Sequence, residues 1–199
     1  MTEFFAVVTY QRACRTFDEH ATVTDEDIAQ ILTAATFAPS AENKQPWEFV
    51  VVRDAGRRGQ IGELTRRVWE RGGRAISQDR LSPALLADVD RGATGGIASA
   101  PVHVVVCADT HRGLEATVGS SIFPAIQNIL LAATALGLGS ALTTLATTAR
   151  TELQELLALP AHVWPVAVIP LGRPRRPLGP PRREPFTAHS HRERYGARW

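Results

Sequence analysis

The stretch that decides the fold is residues 38–49, which read Ala-Pro-Ser-Ala-Glu-Asn-Lys-Gln-Pro-Trp-Glu-Phe. Two prolines and the turn-forming Ser40 and Asn43 predict a loop over residues 38–46. The loop leads directly into Trp47–Val52, whose aromatic and β-branched residues predict a strand. The glutamine before the second proline and the tryptophan that opens the strand are expected to hold the loop in place and to begin the core.

Two later runs repeat the pattern of this strand, at Pro101–Cys107 and Val163–Leu171. All three runs are apolar on both faces, so helices are expected to cover both sides of the sheet. The prolines of the third run predict an irregular or edge-like course. Helices are predicted at residues 3–12, 24–37, 55–71, 82–90, 120–138 and 148–157. The expected fold class is α+β, a three-layer αβα sandwich in which helices flank a mixed central sheet.

The clearest of these helices begins at Thr24. Ile28, Ile31 and Leu32 recur at helical spacing behind an acidic first turn. Thr24 can cap the helix, and Asp27 completes an approximate capping box whose negative charge suits a helix N-terminus.

Length and composition indicate a soluble globular protein with one domain. The chain has 199 residues, of which 44% are hydrophobic and 21% charged. Its formal net charge of +2 is too small to imply a nucleic-acid partner. The apolar stretch 122–142 is interrupted by Pro124, Gln127 and several glycines, so it predicts a buried helix rather than a membrane span. Two cysteines and an N-terminus without the pattern of a secretory leader predict a reducing, cytoplasmic location.

Three separated segments together resemble the nitroreductase-like family of FMN-dependent oxidoreductases. They are the loop at 38–49, the N-terminal run Gln11–Phe17 and the segment Ser120–Ser140. The loop looks like the family signature A-P-S-x-x-N-x-Q-P-W-x-F, and the third segment is similar to the family's long central helix and the glycine-rich turn after it. The resemblance implies an intertwined homodimer with FMN between its subunits. It also implies one domain, residues 1–172, extended by a C-terminal arm, residues 173–199, that packs on the partner subunit.

The N-terminal run is similar to the family's phosphate motif, an Arg-Arg-Ser-x-Arg-x-Phe type of sequence. Guanidinium groups suit the phosphate of FMN because they form paired, charge-assisted hydrogen bonds with its oxygens. The sequence departs from the family at Gln11, where a basic residue is usual, and at Ala13, where a serine is usual. The resemblance implies that the phosphate is bound by Arg12, Ala13 and Arg15, with help from Arg182 and, as the better match, Arg183 in the arm.

The resemblance also implies which residues contact the rest of the flavin. In relatives the loop comes from the subunit opposite the one that binds the phosphate, and backbone groups after the central helix face the flavin ring, with one N–H directed at N5. The residues implied are Pro39, Ser40, Ala41 and Asn43 of the loop, Ser121 of the helix, and Leu142, Thr143 and Thr144 after it. The N–H directed at N5 is expected near Thr143 and Thr144.

The implied function is that of an FMN-dependent NAD(P)H oxidoreductase. NADH or NADPH gives hydride to flavin N5 and leaves, and a nitroaromatic, quinone or similar small acceptor then enters the same space. No acid or base of the protein is assigned a catalytic role. Positive groups near flavin N1 and O2 would stabilise the reduced anion, and Arg71 and Arg74 are candidates for them. The region between Arg57 and Gly96 is expected to shape the substrate pocket.

Several alternatives stay open at this point. The same scaffold in relatives supports dehalogenation, oxidative dehydrogenation and oxygen-dependent flavin breakdown. The departures at Gln11 and Ala13 leave room for a non-catalytic protein that stores or senses FMN. Cys14 lies among arginines and is either a reactive thiol or an inert packed residue. The histidines are dispersed and no His or Cys pair has the spacing of a zinc site, so no metal site is predicted.

Overall fold

A four-stranded sheet organises the chain, whose computed structural model describes residues 3–199. The strands are β1 (Trp47–Val52), β2 (Val102–Asp109), β3 (Gly139–Ser140) and β4 (Val163–Gly172). They lie in the order β1-β2-β4-β3, and all three pairings are antiparallel. The α+β class is confirmed, but the strands do not form the mixed sheet that we predicted. Strands that are apolar on both faces are typical of parallel sheets, and here helices bury both faces of an antiparallel one.

Helices cover both faces of the sheet, which confirms the three-layer arrangement. They are α1 (Glu3–Tyr10), α2 (Asp25–Thr36), α3 (Ala55–Val68), α4 (Arg74–Gln78), α5 (Pro83–Arg91), α6 (Glu115–Ala135), α7 (Leu145–Thr148) and α8 (Arg150–Leu156). Val104 of β2 belongs to the core formed with α2 and α6, whereas its neighbour Val105 belongs to the core formed with α3, α7 and α8. Successive side chains of a strand point to opposite faces, so one strand contributes to both cores.

The predicted cap of α2 is confirmed in both of its hydrogen bonds. The Asp27 N–H donates to Thr24 Oγ1 at 3.0 Å, and the Thr24 N–H donates to Asp27 Oδ2 at 2.9 Å. The hydrogen bond from the Thr24 N–H, assisted by the Thr24 hydroxyl, stabilises the ionised carboxylate and holds the pKa of Asp27 below its usual range. The helix therefore starts where the sequence indicated.

The position of strand β4 in the sheet differs from the edge position that we predicted from its prolines. It lies inside the sheet, between β2 and the short β3, and not at an edge. The predicted irregularity is present, because Val106 of β2 pairs with Ala167 while Cys107 pairs with Pro165, which leaves Val166 as an extra residue. A bulge interrupts the regular hydrogen-bond ladder between two strands. A proline, which has no N–H to donate, is tolerated beside it.

The central helix α6 is the predicted buried helix. Its length of 21 residues and mean hydropathy of 1.3 would suit a membrane span by composition alone, but it packs on α2 and β2 as part of the core. It ends in a Schellman turn, in which Leu138 N–H donates to Ala133 O at 2.8 Å and Gly137 N–H to Thr134 O at 3.0 Å. Gly137 has a φ of 70°, a conformation that glycine adopts without strain.

The first residues of the C-terminal arm contact the N-terminal segment of their own chain. Asp18 N–H donates to Arg173 O at 2.9 Å, and Arg175 N–H donates to Thr16 O at 3.2 Å. Leu178 then packs against a small core that includes Phe17. Residues 173–179 thus pack within the subunit, and the predicted packing of the arm on a partner stays a prediction for the residues beyond them. That part exposes three aromatic side chains, Phe186, Tyr195 and Trp199.

Candidate functional site

A cleft lies where the N-terminal run meets the segment that follows α6. Its volume is about 230 Å³. It is lined by Arg15, Trp69, Val89, Ala93, Ile97 and the run Ala141–Leu145. One guanidinium group, exposed backbone and a mainly apolar wall thus share one concave surface, which is the usual composition of a small-molecule site.

Arg15 is held in this cleft by an ion pair and by backbone contact. Its Nη1 lies 2.7 Å from Asp88 Oδ2, and the two side chains are only 22% and 29% exposed. Its side chain also crosses Gly92, and its carbonyl lies so close to Gly96 that a Cβ there would be 2.0 Å from the oxygen. The carboxylate of Asp88 offsets part of the charge of Arg15, so this arginine alone is a weak anion site.

The rest of the N-terminal run is tied to the chain that leaves α6. Ala13 forms a parallel bridge with Ser140, and the Cys14 N–H donates to Ser140 O at 2.8 Å. Arg12 is exposed, and its Nη1 donates to the carbonyl of Gly179 in the arm at 3.0 Å. The predicted phosphate residues Arg12, Ala13 and Arg15 are therefore brought together with the segment predicted to face the flavin ring.

Cys14 lies inside this run but is not set up as a nucleophile. It is 1% exposed, and burial raises the pKa of its thiol, an effect larger than the opposing pull of the hydrogen bond to Thr16 and of the nearby arginines. A raised pKa leaves the sulfur as an unreactive thiol. The inert, packed interpretation holds, and both Cys14 and Cys107 are free and buried.

The backbone after α6 corrects one detail of the sequence prediction. Thr143 exchanges two hydrogen bonds with Val168 of β4, with its N–H donating at 3.1 Å and its carbonyl accepting at 2.9 Å. Its N–H is consequently committed to the sheet and is not free for a ligand. Within residues 3–199, the N–H groups of Leu142 and Thr144 donate to no other group, so these two are the candidates.

The loop at 38–46 is held by side-chain hydroxyl groups. Gln45 N–H donates to Ser40 Oγ at 3.0 Å, and Ala41 N–H donates to Ser121 Oγ of α6 at 3.1 Å. Asn43 is exposed and has a φ of 55°, and its side-chain oxygen lies 3.3 Å from Gln45 Nε2. Ser40 and Ser121 were both predicted to contact the cofactor. In this structure their hydroxyl groups accept hydrogen bonds from the backbone of the loop.

The predicted site residues fall into two groups that do not share a cavity on one subunit. The loop contacts α6 at Ser121, and Ala41 and Ser121 line a separate cavity of about 350 Å³. The cleft with Arg15 is lined by no residue of the loop and by no residue of α6. One chain therefore does not bring Pro39, Ser40, Ala41, Asn43 and Ser121 to the cleft.

The region between Arg57 and Gly96 supplies cleft residues that sequence reasoning missed. Trp69 is 2% exposed, and its Nε1 donates to Asp90 Oδ1 at 2.8 Å. Arg74, a candidate for the flavin edge, is paired with the same carboxylate at 3.2 Å, and Arg71 is exposed outside the cleft lining. The glycine pairs at 72–73 and 95–96 lie in wide helical turns, and they were the sequence feature that could have indicated these cleft residues.

A buried histidine supports the cleft wall from behind. His103 of β2 is fully buried, and its Nε2 lies 2.9 Å from the carbonyl of Ile97. Burial favours the neutral ring and lowers the pKa of His103 to about 4, with the charge of Arg58 adding to the effect. Its Nδ1 has no hydrogen-bond partner among the described residues.

The arm carries its arginines past Arg12. Gly179 accepts the hydrogen bond from Arg12, and Arg182 follows three residues later, within about 11 Å along an extended chain. Arg182 and Arg183 are exposed, and the Arg183 guanidinium donates to the carbonyl of Arg182 at 2.9 Å. Both are thus within reach of the Arg12 side of the site but do not enter the cleft.

Comparison with known proteins agrees with this fold. The model of the nitroreductase family matches residues 8–173. A protein of Archaeoglobus fulgidus named as an NADH dehydrogenase/NAD(P)H nitroreductase is 32% identical over 189 residues, covering 88% of this chain and 87% of its own. FMN reductase [NAD(P)H] of Bacillus subtilis is 30% identical over 198 residues, covering 98% of this chain and 75% of its own.

Solved structures give the same result. The crystal structure of a nitroreductase from Desulfovibrio desulfuricans, in complex with FMN, superposes with a TM-score of 0.76 at 27% identity and covers 98% of this chain and 99% of its own. The fold and the cleft define a protein of the αβα flavin-binding type. The chain belongs to the nitroreductase family.

Proposed function

We propose that this protein is an FMN-dependent NAD(P)H oxidoreductase that acts as a homodimer and reduces a nitroaromatic, a quinone or a similar small acceptor. The observation that carries the proposal is the cleft, in which Arg15 and the free N–H groups of Leu142 and Thr144 share one wall. The names of the relatives from A. fulgidus and B. subtilis support the nicotinamide donor, and the FMN complex from D. desulfuricans supports the cofactor.

The residues present fit FMN. Its phosphate needs more positive charge than Arg15 offers, since Asp88 already pairs with that side chain at 2.7 Å. Arg12, and Arg182 or Arg183 of the arm, would complete the phosphate site and compensate for Gln11 and Ala13. The free N–H groups beside the cleft are suited to hold a ring system that carries acceptor atoms.

A second subunit would complete the site. A cleft of about 230 Å³ is smaller than the usual range for small-molecule sites, about 300–1,000 Å³, so one chain supplies only part of the enclosure. The loop at 38–46 does not line the cleft of its own chain and would approach the cleft of a partner. Helix α1 has no buried residue, and an apolar groove of about 510 Å³ between α1, α2 and α6 exposes Phe4 and Phe37. Such a surface is typical of a subunit interface.

The protein's own part in the reaction is to bind, orient and exclude water. When bound, FMN supplies the redox chemistry by taking hydride from the nicotinamide and passing it to the acceptor. Within the described chain the cleft lining contains arginine, threonine and apolar residues, and no carboxylate, histidine or cysteine. The chain consequently offers no dedicated acid or base at this wall. Trp69, fixed by Asp90, forms a rigid apolar surface that shields the site from water.

The spectrum of the purified protein tests the proposal. After reconstitution with FMN we expect bound flavin absorption, bleaching by NADH or NADPH under nitrogen, and recovery of colour on adding a nitroaromatic or a quinone. Arg15→Ala should weaken FMN binding, whereas Arg80→Ala, at an exposed position outside the cleft, should bind FMN like the unaltered protein. Failure to retain FMN would refute the proposal, and retention without bleaching would refute the NAD(P)H oxidoreductase activity.

The homodimer has its own test. Phe37 is 83% exposed and lines the apolar groove. We expect Phe37→Glu to shift sedimentation from dimer to monomer and to weaken FMN binding at the same time, because the loop of the partner would then be missing. A dimer that persists in Phe37→Glu would contradict this interface.

One comparison favours a second reaction. A 5,6-dimethylbenzimidazole synthase of Rhodospirillum rubrum is 34% identical over 127 residues, which cover 59% of this chain. An aerobic incubation of the reduced, FMN-loaded protein distinguishes the two, since formation of 5,6-dimethylbenzimidazole would replace the reductase assignment.

A further inference from the structure

We propose that Asp109, His111 and His162 form a binding site for a divalent transition-metal ion, separate from the cleft. The three side chains each offer one ligand atom, and these atoms all lie within 4.8 Å of one another. The two imidazole rings are stacked, with centroids 4.0 Å apart and planes inclined by 6°. None of the three lines the cleft that contains Arg15.

The backbone fixes the relative positions of the two histidines. Asp109 pairs with Val163 at the end of the β2–β4 ladder, so the residues that follow and precede them lie side by side. The next residue, Thr110, donates both its N–H and its hydroxyl to the carbonyl of His162, at 2.9 and 3.0 Å. The histidines are 51 positions apart in sequence, yet this pairing brings them together in a sheet end that needs no ion to form.

Asp109 is oriented as a metal ligand. The His111 N–H donates to its Oδ1 at 2.8 Å, which fixes the plane of the carboxylate and leaves Oδ2 free of hydrogen bonds among the described residues. Its side chain is only 14% exposed. An outer hydrogen bond of this kind commonly orients the carboxylate that binds a metal.

The donor set defines the class of ion. Two imidazole nitrogens and one carboxylate oxygen suit Zn²⁺ and its neighbours Ni²⁺ and Cu²⁺, whereas Mg²⁺ and Ca²⁺ prefer oxygen ligands alone. Bonds of about 2.0–2.2 Å require the three ligand atoms to draw closer than they are here. A metal ion lies in the plane of each imidazole that binds it, so one of the two stacked rings must also turn out of the stack. His111 is exposed, and its side chain can do so by rotating. Three protein ligands leave one position open for water or an anion.

Arg112 gives the site an opposing charge that a test can use. Its Nε lies 3.9 Å from Asp109 Oδ2, and its Nη1 lies 3.5 Å from Glu48 Oε1. A cation bound at Asp109 would be repelled by this guanidinium group, which can remain paired with Glu48. Replacing Arg112 with glutamine should therefore raise the affinity for the metal.

The experiment measures zinc binding to the untagged, FMN-loaded protein by isothermal titration calorimetry. We expect one Zn²⁺ per chain, a loss of affinity of about tenfold or more in His111→Ala and His162→Ala, and a gain of several-fold in Arg112→Gln. His20→Ala, which removes an exposed histidine elsewhere, should bind zinc like the unaltered protein. An excess of Mg²⁺ should not compete.

The outcomes decide the proposal without reference to catalysis. Absence of saturable zinc binding, or equal binding by His111→Ala and the unaltered protein, would overturn it. Unfolding temperatures measured without metal identify any variant that is destabilised by the substitution itself. If His162→Ala is destabilised, His111→Ala, at an exposed position, is the variant that decides the test. Full competition by Mg²⁺ would overturn the assignment to a transition-metal ion.

Discussion

The contact between Gly96 and Arg15 makes a sharp prediction about the cleft. A Cβ at position 96 would lie 2.0 Å from the carbonyl oxygen of Arg15 and 3.0 Å from that of Arg91. Both are backbone atoms that cannot rotate away, so the Arg15 segment must retreat by about 1 Å to reach a tolerable contact near 3 Å. Overpacking of this kind costs about 1–3 kcal/mol. Gly96→Ala should therefore lower the free energy of unfolding by that amount and displace the guanidinium group.

The matched control is the neighbouring glycine, since a Cβ at Gly95 would meet no atom within 4 Å. If FMN binding must restore the displaced segment, the same cost of about 1–3 kcal/mol raises the dissociation constant for FMN by about fivefold to 150-fold. Urea unfolding of the FMN-free protein measures the first effect, and quenching of flavin fluorescence measures the second. Equal FMN affinity and equal stability in Gly96→Ala and Gly95→Ala would refute both the packing argument and the role of Arg15.

Three further perturbations follow from hydrogen bonds and burial. Thr24→Ala removes the capping box with Asp27 and should cost about 1 kcal/mol in urea unfolding, and an unchanged midpoint would show that the cap is redundant. Ser121→Ala leaves the Ala41 N–H without its acceptor and should weaken FMN binding in titration. Lower thermal stability with unchanged FMN affinity would contradict this prediction. His103 has a folded pKa of about 4, below the ordinary value of about 6.5, so the unfolded chain binds the proton first and stability falls as pH drops through that window. The loss should be about 2 kcal/mol between pH 7 and pH 5, and an equal loss in His103→Gln would contradict it.

Because the loop does not line the cleft of its own chain, activity would depend on assembly of the dimer. If the loop of one subunit completes the cleft of the other, FMN affinity and dimer formation are thermodynamically linked, because a ligand that binds only the dimer stabilises it. FMN should then shift the sedimentation of a dilute sample toward the dimer. The exposed aromatic residues of α1 and of the arm are the surfaces through which this linkage would act.

Much of the fold could be predicted from local patterns. The apolar run Trp47–Val52, the capping box at Thr24 and the glycine that ends α6 all specify structure within a few residues, and each is confirmed. Strand direction could not be read in this way, because a strand that is buried on both faces has the same composition in a parallel and an antiparallel sheet. The inner position of β4 was also missed, since a bulge can accommodate a proline that a regular ladder excludes.

The candidate site was also predictable from the sequence only in part. The three segments at 11–17, 38–49 and 120–140 together predicted the family, and the family match over residues 8–173 confirms that interpretation. Only the tertiary structure revealed that Thr143 gives its N–H to β4, that Asp88 shares the charge of Arg15, and that Trp69 forms the wall. These features depend on contacts between residues distant in sequence, and no local pattern encodes them. The pairing of His111 with His162 has the same origin, because an antiparallel ladder joins positions whose spacing along the chain carries no signal.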